Sequence, residues 1–253
     1  MMKISVFERQ IGQIPILEVV LDSERYTPLP LIIFYHGWQT SKELVLTQAR
    51  KLAQHRIRVI LPDAMFHGER KMPVSTIPSA TFWTSIQFNF IEFDSLIDYY
   101  HKKRLIADNL IGVGGYSMGG ITASGLLVEH PEITAAACIM GTPAPVAYSQ
   151  LIFKSANKHG RPIPSDLKQT LTWLEHFDLS LHPDRLNQRP FLLWHGTEDY
   201  KIPYQDVQEF YLKVQKKLIG SQTHLLTGQD KGHLVTPETM DTITDFFTTS
   251  LLT

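Results

Sequence analysis

The sequence predicts an α/β fold, a mostly parallel central sheet with helices on both faces. Three observations predict it. Short β-rich apolar runs alternate with helix-periodic segments along most of the chain. The runs "PLIIFYHG" (30–37) and "IRVILPDA" (57–64) are apolar nearly throughout, as strands covered on both faces are. The chain has 253 residues, 43% hydrophobic and only 19% charged, which suits a large core and excludes a disordered class. A single domain over 1–253 is expected, since α/β folds of this length are often undivided.

The elements follow in order. "PILEVVL" (15–21) is an early strand and 30–37 the next. "SKELVLTQARKLAQH" (41–55) places Leu44, Leu52 and Ala53 at helical spacing after a Ser41 cap. The strand at 57–64 ends around Pro62. Residues 80–103 form a long amphipathic helix with Phe90, Phe93, Leu96 and Ile97 on one side. "NLIGVGGYS" (109–117) is a strand and 118–130 a helix stopped by Pro131. Strands at 133–141 and 189–196, a helix at 204–218, a strand at 221–228 and a helix at 236–251 complete the pattern.

Residues 142–188 break this rhythm. The stretch is proline-rich before Leu167, carries Tyr148, Phe153 and Trp173, and is too long for a simple crossover. It is expected to be a cap inserted between strands 6 and 7 of the sheet, over its carboxyl edge.

Net charge narrows the partners. With 24 Lys+Arg against 25 Asp+Glu, the chain gives no electrostatic reason to expect nucleic acid or an anionic membrane surface. No apolar run reaches membrane-spanning length, and the first twenty residues contain no clean apolar stretch typical of a secretion signal. Cys138 is the single cysteine, so an internal disulfide is excluded and a cytoplasmic location is expected. It lies in "ITAAACIMG", where a buried, inert thiol is the simpler reading.

The chemistry concentrates at "GGYSMGG" (114–120). Gly115-Tyr116-Ser117-Met118-Gly119 matches G-x-S-x-G, with a strand before it and a helix after it. A sharp strand-to-helix turn lifts the serine hydroxyl clear of the sheet. The positions two before and two after it then press on neighbouring backbone, where only glycine fits. A purely structural turn would need a glycine or two, without a serine placed symmetrically between them.

A serine hydroxyl needs a base, and the base needs an orienting group. In this arrangement the chain order is Ser, then acid, then His. Asp199 follows the strand in "FLLWHGTEDYKIP", and His233 lies in "DKGHLVTPE" between the last strand and the last helix. Glu198 and Asp206 are weaker acids for the role. His36, His67, His195 and His224 are assigned to turns or packing. The oxyanion of acyl transfer needs two donors. The Met118 amide is one, and the Trp38 amide, in the loop after "LIIFYHGW", is the other. Tyr116, Trp83, Tyr148, Phe153 and Trp173 are the candidate pocket residues, with aromatic packing as their alternative role.

Together, "FYHGW", "RVILPDAMFHGER", "GGYSMGG", "LLWHGTEDYKIP" and "GHLVTPE" resemble the α/β-hydrolase superfamily. Within it they look like small bacterial carboxylesterases of the YjfP type, related to the prolyl oligopeptidase and dienelactone hydrolase branches. The resemblance spans nearly the whole chain. It implies the α/β-hydrolase fold and cleavage of short-chain carboxylic esters without cofactor or metal. It also implies nucleophile Ser117, acid Asp199 and base His233. Serine rather than cysteine disfavours dienelactone chemistry, and a large extra N-terminal domain of the oligopeptidase kind is absent from this sequence. An amide- or peptide-cleaving serine hydrolase shares the same residues and stays open, as does a non-catalytic binding homologue. The expected partner is a small ester, with the chain a monomer or homodimer.

Overall fold

The structure is a computed structural model and describes residues 3–74, 79–161, 163–164, 166–217 and 219–252. Its centre is an eight-stranded sheet in the order β1-β2-β4-β3-β5-β6-β7-β8. The strands are β1 (Ile4–Ile11), β2 (Ile14–Leu21), β3 (Leu29–Tyr35), β4 (Arg58–Pro62), β5 (Ile106–Tyr116), β6 (Ile133–Ile139), β7 (Phe191–Gly196) and β8 (Thr223–Gly228). From β4 through β8 the pairings are parallel, whereas β1–β2 and β2–β4 are antiparallel.

The expected α/β architecture is therefore present, with one strand added. β1 pairs with β2 across a tight turn in which Ile11 opposes Ile14. It is an edge strand, mostly half-exposed, with Glu8 and Arg9 in its length. An edge strand does not need the apolar pattern that marks a central one, so the sequence left it unread. Counting it makes Ile133–Ile139 and Phe191–Gly196 the sixth and seventh strands.

Every residue of β3 is buried. Its side chains alternate between two cores, as the pleat requires. Leu31, Ile33 and Tyr35 join the core under α2 (Ala80–Lys102), α3 (Met118–Glu129) and α6 (Tyr204–Lys216). Ile32 and Phe34 join the core under α1 (Leu46–Ala53) and α7 (Pro237–Leu252). In α2, Phe82, Ile86, Phe90, Phe93 and Ile97 recur at helical spacing and are all buried. The central helix α3 is buried without break from Met118 to Val128, as its apolar sequence on all sides demands.

The helix expected at 41–55 starts later, at Leu46, after a 3₁₀ turn over Lys42–Val45. Ser41 makes no capping bond, its hydroxyl being taken by the Glu43 carboxylate. Leu44 is consequently 54% exposed rather than part of a core stripe. Residues 142–188 hold α4 (Pro145–Lys158), the short α5 (Leu167–Thr170) and two 3₁₀ turns. Residues 162 and 165 of this stretch, and Leu218 at the expected end of α6, lie outside the described residues.

Candidate active site

The carboxyl ends of β3, β5, β7 and β8 carry the site. β5 ends at Tyr116, and Ser117 stands at the entrance of α3 with φ 56° and ψ −112°. That backbone is unfavourable for any residue with a Cβ, costing on the order of 1–3 kcal/mol. Surrounding packing enforces it. A Cβ on residue 115 would lie 2.4 Å from the Gly119 carbonyl carbon, and one on residue 119 would lie 2.3 Å from the Tyr35 oxygen. The Ser117 amide donates to Ile139 of β6 at 2.8 Å, and its carbonyl accepts from Ile121 at 3.0 Å. The strand-to-helix turn is thus clamped from both sides with the hydroxyl at its apex.

The loops after β7 and β8 bring in the other two groups. They are laced together where Glu198 donates to the Lys231 carbonyl (2.9 Å) and Thr197 to that of Gly228 (3.0 Å). Ser117 Oγ lies 2.9 Å from His233 Nε2, and His233 Nδ1 lies 2.7 Å from Asp199 Oδ2. The Asp199 carboxylate is fully buried and His233 is only 10% exposed. Three residues expected from separate stretches of sequence therefore meet in one row.

Asp199 is held as an anion. Burial by itself would raise its pKa, but hydrogen bonds from His195 and His233 and the Ile202 amide outweigh it and hold the group well below the usual carboxylate range. Oδ1 accepts from the amides of Lys201 (2.9 Å) and Ile202 (3.1 Å), leaving Oδ2 for the imidazole. With an ionised carboxylate opposite Nδ1, that nitrogen carries the proton and Nε2 is bare towards the serine.

His195 is a residue the sequence reading assigned to turns or packing. Its Nε2 lies 2.8 Å from the Ile202 carbonyl and 3.2 Å from Asp199 Oδ2. Both atoms are acceptors, so Nε2 bears the hydrogen, and the ring braces the same carboxylate that serves His233. Only its spacing of four from Asp199 hinted at this.

The loop after β3 approaches the serine closely. A Cβ on residue 37 would stand 3.6 Å from that of Ser117. The Gly37 carbonyl accepts from Thr40 Oγ1 (2.7 Å) and from His36 Nδ1 (2.8 Å), while His36 Nε2 accepts from the Ala64 amide (3.1 Å). Because the next peptide is trans, tying back this carbonyl turns the Trp38 N–H the opposite way. Burial drives the His36 imidazole down to about pKa 4, so it stays neutral in this bracing role.

Ser117 and His233 open into a cavity of about 610 Å³. Tyr116 and Tyr148 line it as the sequence reading expected, although the Tyr116 hydroxyl is engaged by Gln48 at 3.1 Å. Trp38 lines it too, packed edge-on against His67 and Phe82. The other three aromatic candidates lie elsewhere. Trp83 is turned into the core, where it meets Phe82 and Tyr148 edge-on. Successive helical residues diverge by about 100°, so Phe82 faces the cavity and Trp83 does not. Phe153, five residues beyond Tyr148 on α4, borders a different cavity beside Lys168. Trp173 packs against Phe90 and Phe177. Leu44, Met140, Ile202, Val235 and Met240 complete the apolar wall and were not foreseen, because most stand on loops without periodicity.

Comparison with known proteins follows the geometry. The family described as "alpha/beta hydrolase fold" matches residues 30–188. YitV of Bacillus subtilis (strain 168) is 36% identical over 213 residues, covering 82% of this chain and 83% of its own. The chain belongs to the α/β-hydrolase family. YjfP of Escherichia coli (strain K12) is 30% identical to this α/β-hydrolase over 248 residues, 96% of this chain and 98% of its own. The names of both relatives include the word esterase. Among solved structures, TT1662 from Thermus thermophilus superposes with a TM-score of 0.79 at 18% identity, over 100% of both chains. The Pyrococcus furiosus esterase Pf2001 gives 0.64 at 17% identity, over 99% of this chain and 94% of that one. At such identities these two establish the shared α/β-hydrolase fold alone.

Other features of the family member are structural. Cys138 is buried, and burial pushes its thiol up to about 12, which leaves it without thiolate character. Among the described residues no helix is long and apolar enough to cross a membrane.

Proposed function

We propose that this α/β-hydrolase is a serine carboxylesterase that cleaves short-chain esters through an acyl-enzyme. The observation that carries the reading is the unbroken row from Ser117 Oγ to His233 to the buried Asp199, open to an apolar cavity. The esterase names of YitV and YjfP support the choice of bond.

In the first step His233 Nε2 takes the Ser117 proton while Oγ bonds to the ester carbonyl carbon. The carbonyl oxygen becomes an oxyanion held by the Met118 and Trp38 amides. Asp199 keeps the imidazole in the Nδ1–H tautomer and stabilises its cationic form. The C–O bond then breaks, and the departing alcohol takes the proton from His233. Water, deprotonated by His233, attacks the acyl-enzyme and repeats the sequence in reverse. Residues 142–188 act as a cap, contributing Tyr148 to the cavity. The reading invokes no cofactor and takes the enzyme to work as a monomer or homodimer in the cytoplasm.

An aminopeptidase-like reading would require a carboxylate to receive a substrate amine. Among the described residues lining the cavity there is no Asp or Glu. The test is direct. A fluorophosphonate should label Ser117, and Ser117→Ala should lower turnover of p-nitrophenyl acetate by about five powers of ten. A loss below tenfold sinks the assignment. Acetyl esters should be hydrolysed faster than dodecanoyl esters, and the reverse order would remove the short-chain claim.

A further inference from the structure

The cavity in front of Ser117 borders a second one. That neighbour, about 520 Å³, lies between α4 and the loop before α6. Tyr148, Tyr200 and Lys201 line both. The second cavity adds Arg161 and His159 and the apolar Leu151, Ile152 and Pro203. Between them the two cavities present apolar surface together with the cations Lys201 and Arg161.

Its charge is one-sided. No Asp or Glu is among the described residues that line either cavity. Lys201 and Arg161 are exposed, and neither has a carboxylate within ion-pairing distance among the described residues. Asp199, two residues before Lys201, has its oxygens occupied by the two imidazoles and two amides. Two buried cations near the site do have carboxylates, Lys42 that of Asp63 and Arg70 that of Glu92. Unmatched positive charge along one groove favours an anion there.

We propose that the natural substrates are short-acyl esters whose alcohol arm ends in an anion, a carboxylate or a phosphate, received by Lys201 and Arg161. The inference rests on the esterase reading above. Placing the charge on the alcohol arm follows from the order of events. The alcohol must leave while the acyl group stays on Ser117, so it belongs toward the open end. Lys201 and Tyr200, the latter 84% exposed, mark that end. The same one-sided charge excludes cationic leaving groups, because a substrate ammonium would find no counter-charge along the groove.

The experiment compares pairs that differ only in charge. Acetoxyalkanoates of increasing length are paired with the corresponding acetoxyalkanamides, and acetoxyalkyl phosphates form a further arm. Acetate release is followed with the full chain. The anionic member of the best-fitting pair should have a kcat/KM about fivefold higher than its neutral partner, since exposed pairs interact weakly. The preference should fade as ionic strength rises toward 0.5 M, where screening is short-ranged (a Debye length of about 4–5 Å). It should survive Lys201→Arg and invert in the double variant Lys201→Glu with Arg161→Glu. The ratio is internal to each preparation, so the folded fraction cancels. The phosphate arm, read against the carboxylate arm, identifies which anion is the better fit. Equal or lower activity on the anionic members, or a ratio untouched by the double reversal, overturns the proposal. A preference seen only when the anion sits on the acyl arm, as in mono-p-nitrophenyl adipate against its amide, overturns the assignment of the alcohol arm. If neutral acetates themselves are hydrolysed no better by the native chain than by Ser117→Ala, the failure belongs to the esterase reading instead.

Discussion

His195 Nε2 lies 3.2 Å from Asp199 Oδ2, the same oxygen that meets His233 Nδ1 at 2.7 Å. One carboxylate oxygen therefore serves two imidazoles. The His195 ring is buried, and among the described residues its Nδ1 has no partner. The arrangement fixes where the Asp199 carboxylate points. His195→Phe should lower kcat by about tenfold, the kinetic equivalent of one hydrogen bond to a charged group. KM should change little, because His195 does not line the cavity. His195→Gln, which can place an amide N–H near the same oxygen, should recover most of the loss. A phenylalanine variant with native kcat would show that His195 merely packs.

The glycines around Ser117 make a stability prediction independent of activity. A Cβ at residue 115 or 119 would meet backbone atoms at 2.4 Å and 2.3 Å respectively, and backbone cannot step aside as a side chain can. Gly115→Ala and Gly119→Ala should each destabilise the fold by about 3 kcal/mol, the upper range of overpacking, in urea unfolding. Gly12→Ala provides the contrast. Its Cβ would touch nothing within 4 Å, and only its φ of 58° opposes the change, so its cost should be about 1 kcal/mol.

Buried His36 links stability to pH. Burial brings its folded-state pKa to about 4, below the unfolded value of about 6.5. The folded state therefore binds fewer protons. The stabilisation is fully present above about pH 6.5 and is lost progressively as pH falls toward 4, by on the order of 3 kcal/mol. His67, also lowered by burial and ringed against His36 at 5.3 Å, acts in the same direction. Unfolding free energy measured between pH 7 and 4 should fall in the native chain and fall less steeply in His36→Gln. Parallel slopes would refute the assignment.

Lys42 and Asp63 hold the loop after β4. The fully buried Asp63 carboxylate accepts from Lys42 Nζ (2.6 Å), from the Lys42 amide (3.0 Å) and from the Glu69 amide (3.0 Å). Lys42→Met leaves that carboxylate buried without its cation and should cost about 3–5 kcal/mol. The double variant Lys42→Met with Asp63→Asn should be more stable than Lys42→Met alone, as thermal unfolding would report. If the single variant unfolds with native stability, the ion pair contributes nothing.

Local chemistry in the sequence determined a good deal about this protein. Continuous apolar runs and period-3.6 apolar patterns marked the central strands, the helices and the bounds of the 142–188 stretch, because burial on a strand or helix imprints directly on residue order. Ser117 between Gly115 and Gly119 was legible because the clash that demands glycine is a matter of adjacent chain. Asp199 and His233 were legible from their places after strands.

What needed the tertiary structure was every fact set by direction across elements. β1 is stabilised by one neighbour at a sheet edge, so its own pattern is faint. Which side of α2 meets the cavity is decided where the helix packs on α3, and this separates Phe82 from Trp83, just as the packing of α4 separates Tyr148 from Phe153. The bracing of Asp199 by His195 depends on the turn that folds residues 196–202 back on the end of β7. Spacing along a chain constrains which side chains share a face, whereas contact between elements is decided only when they pack.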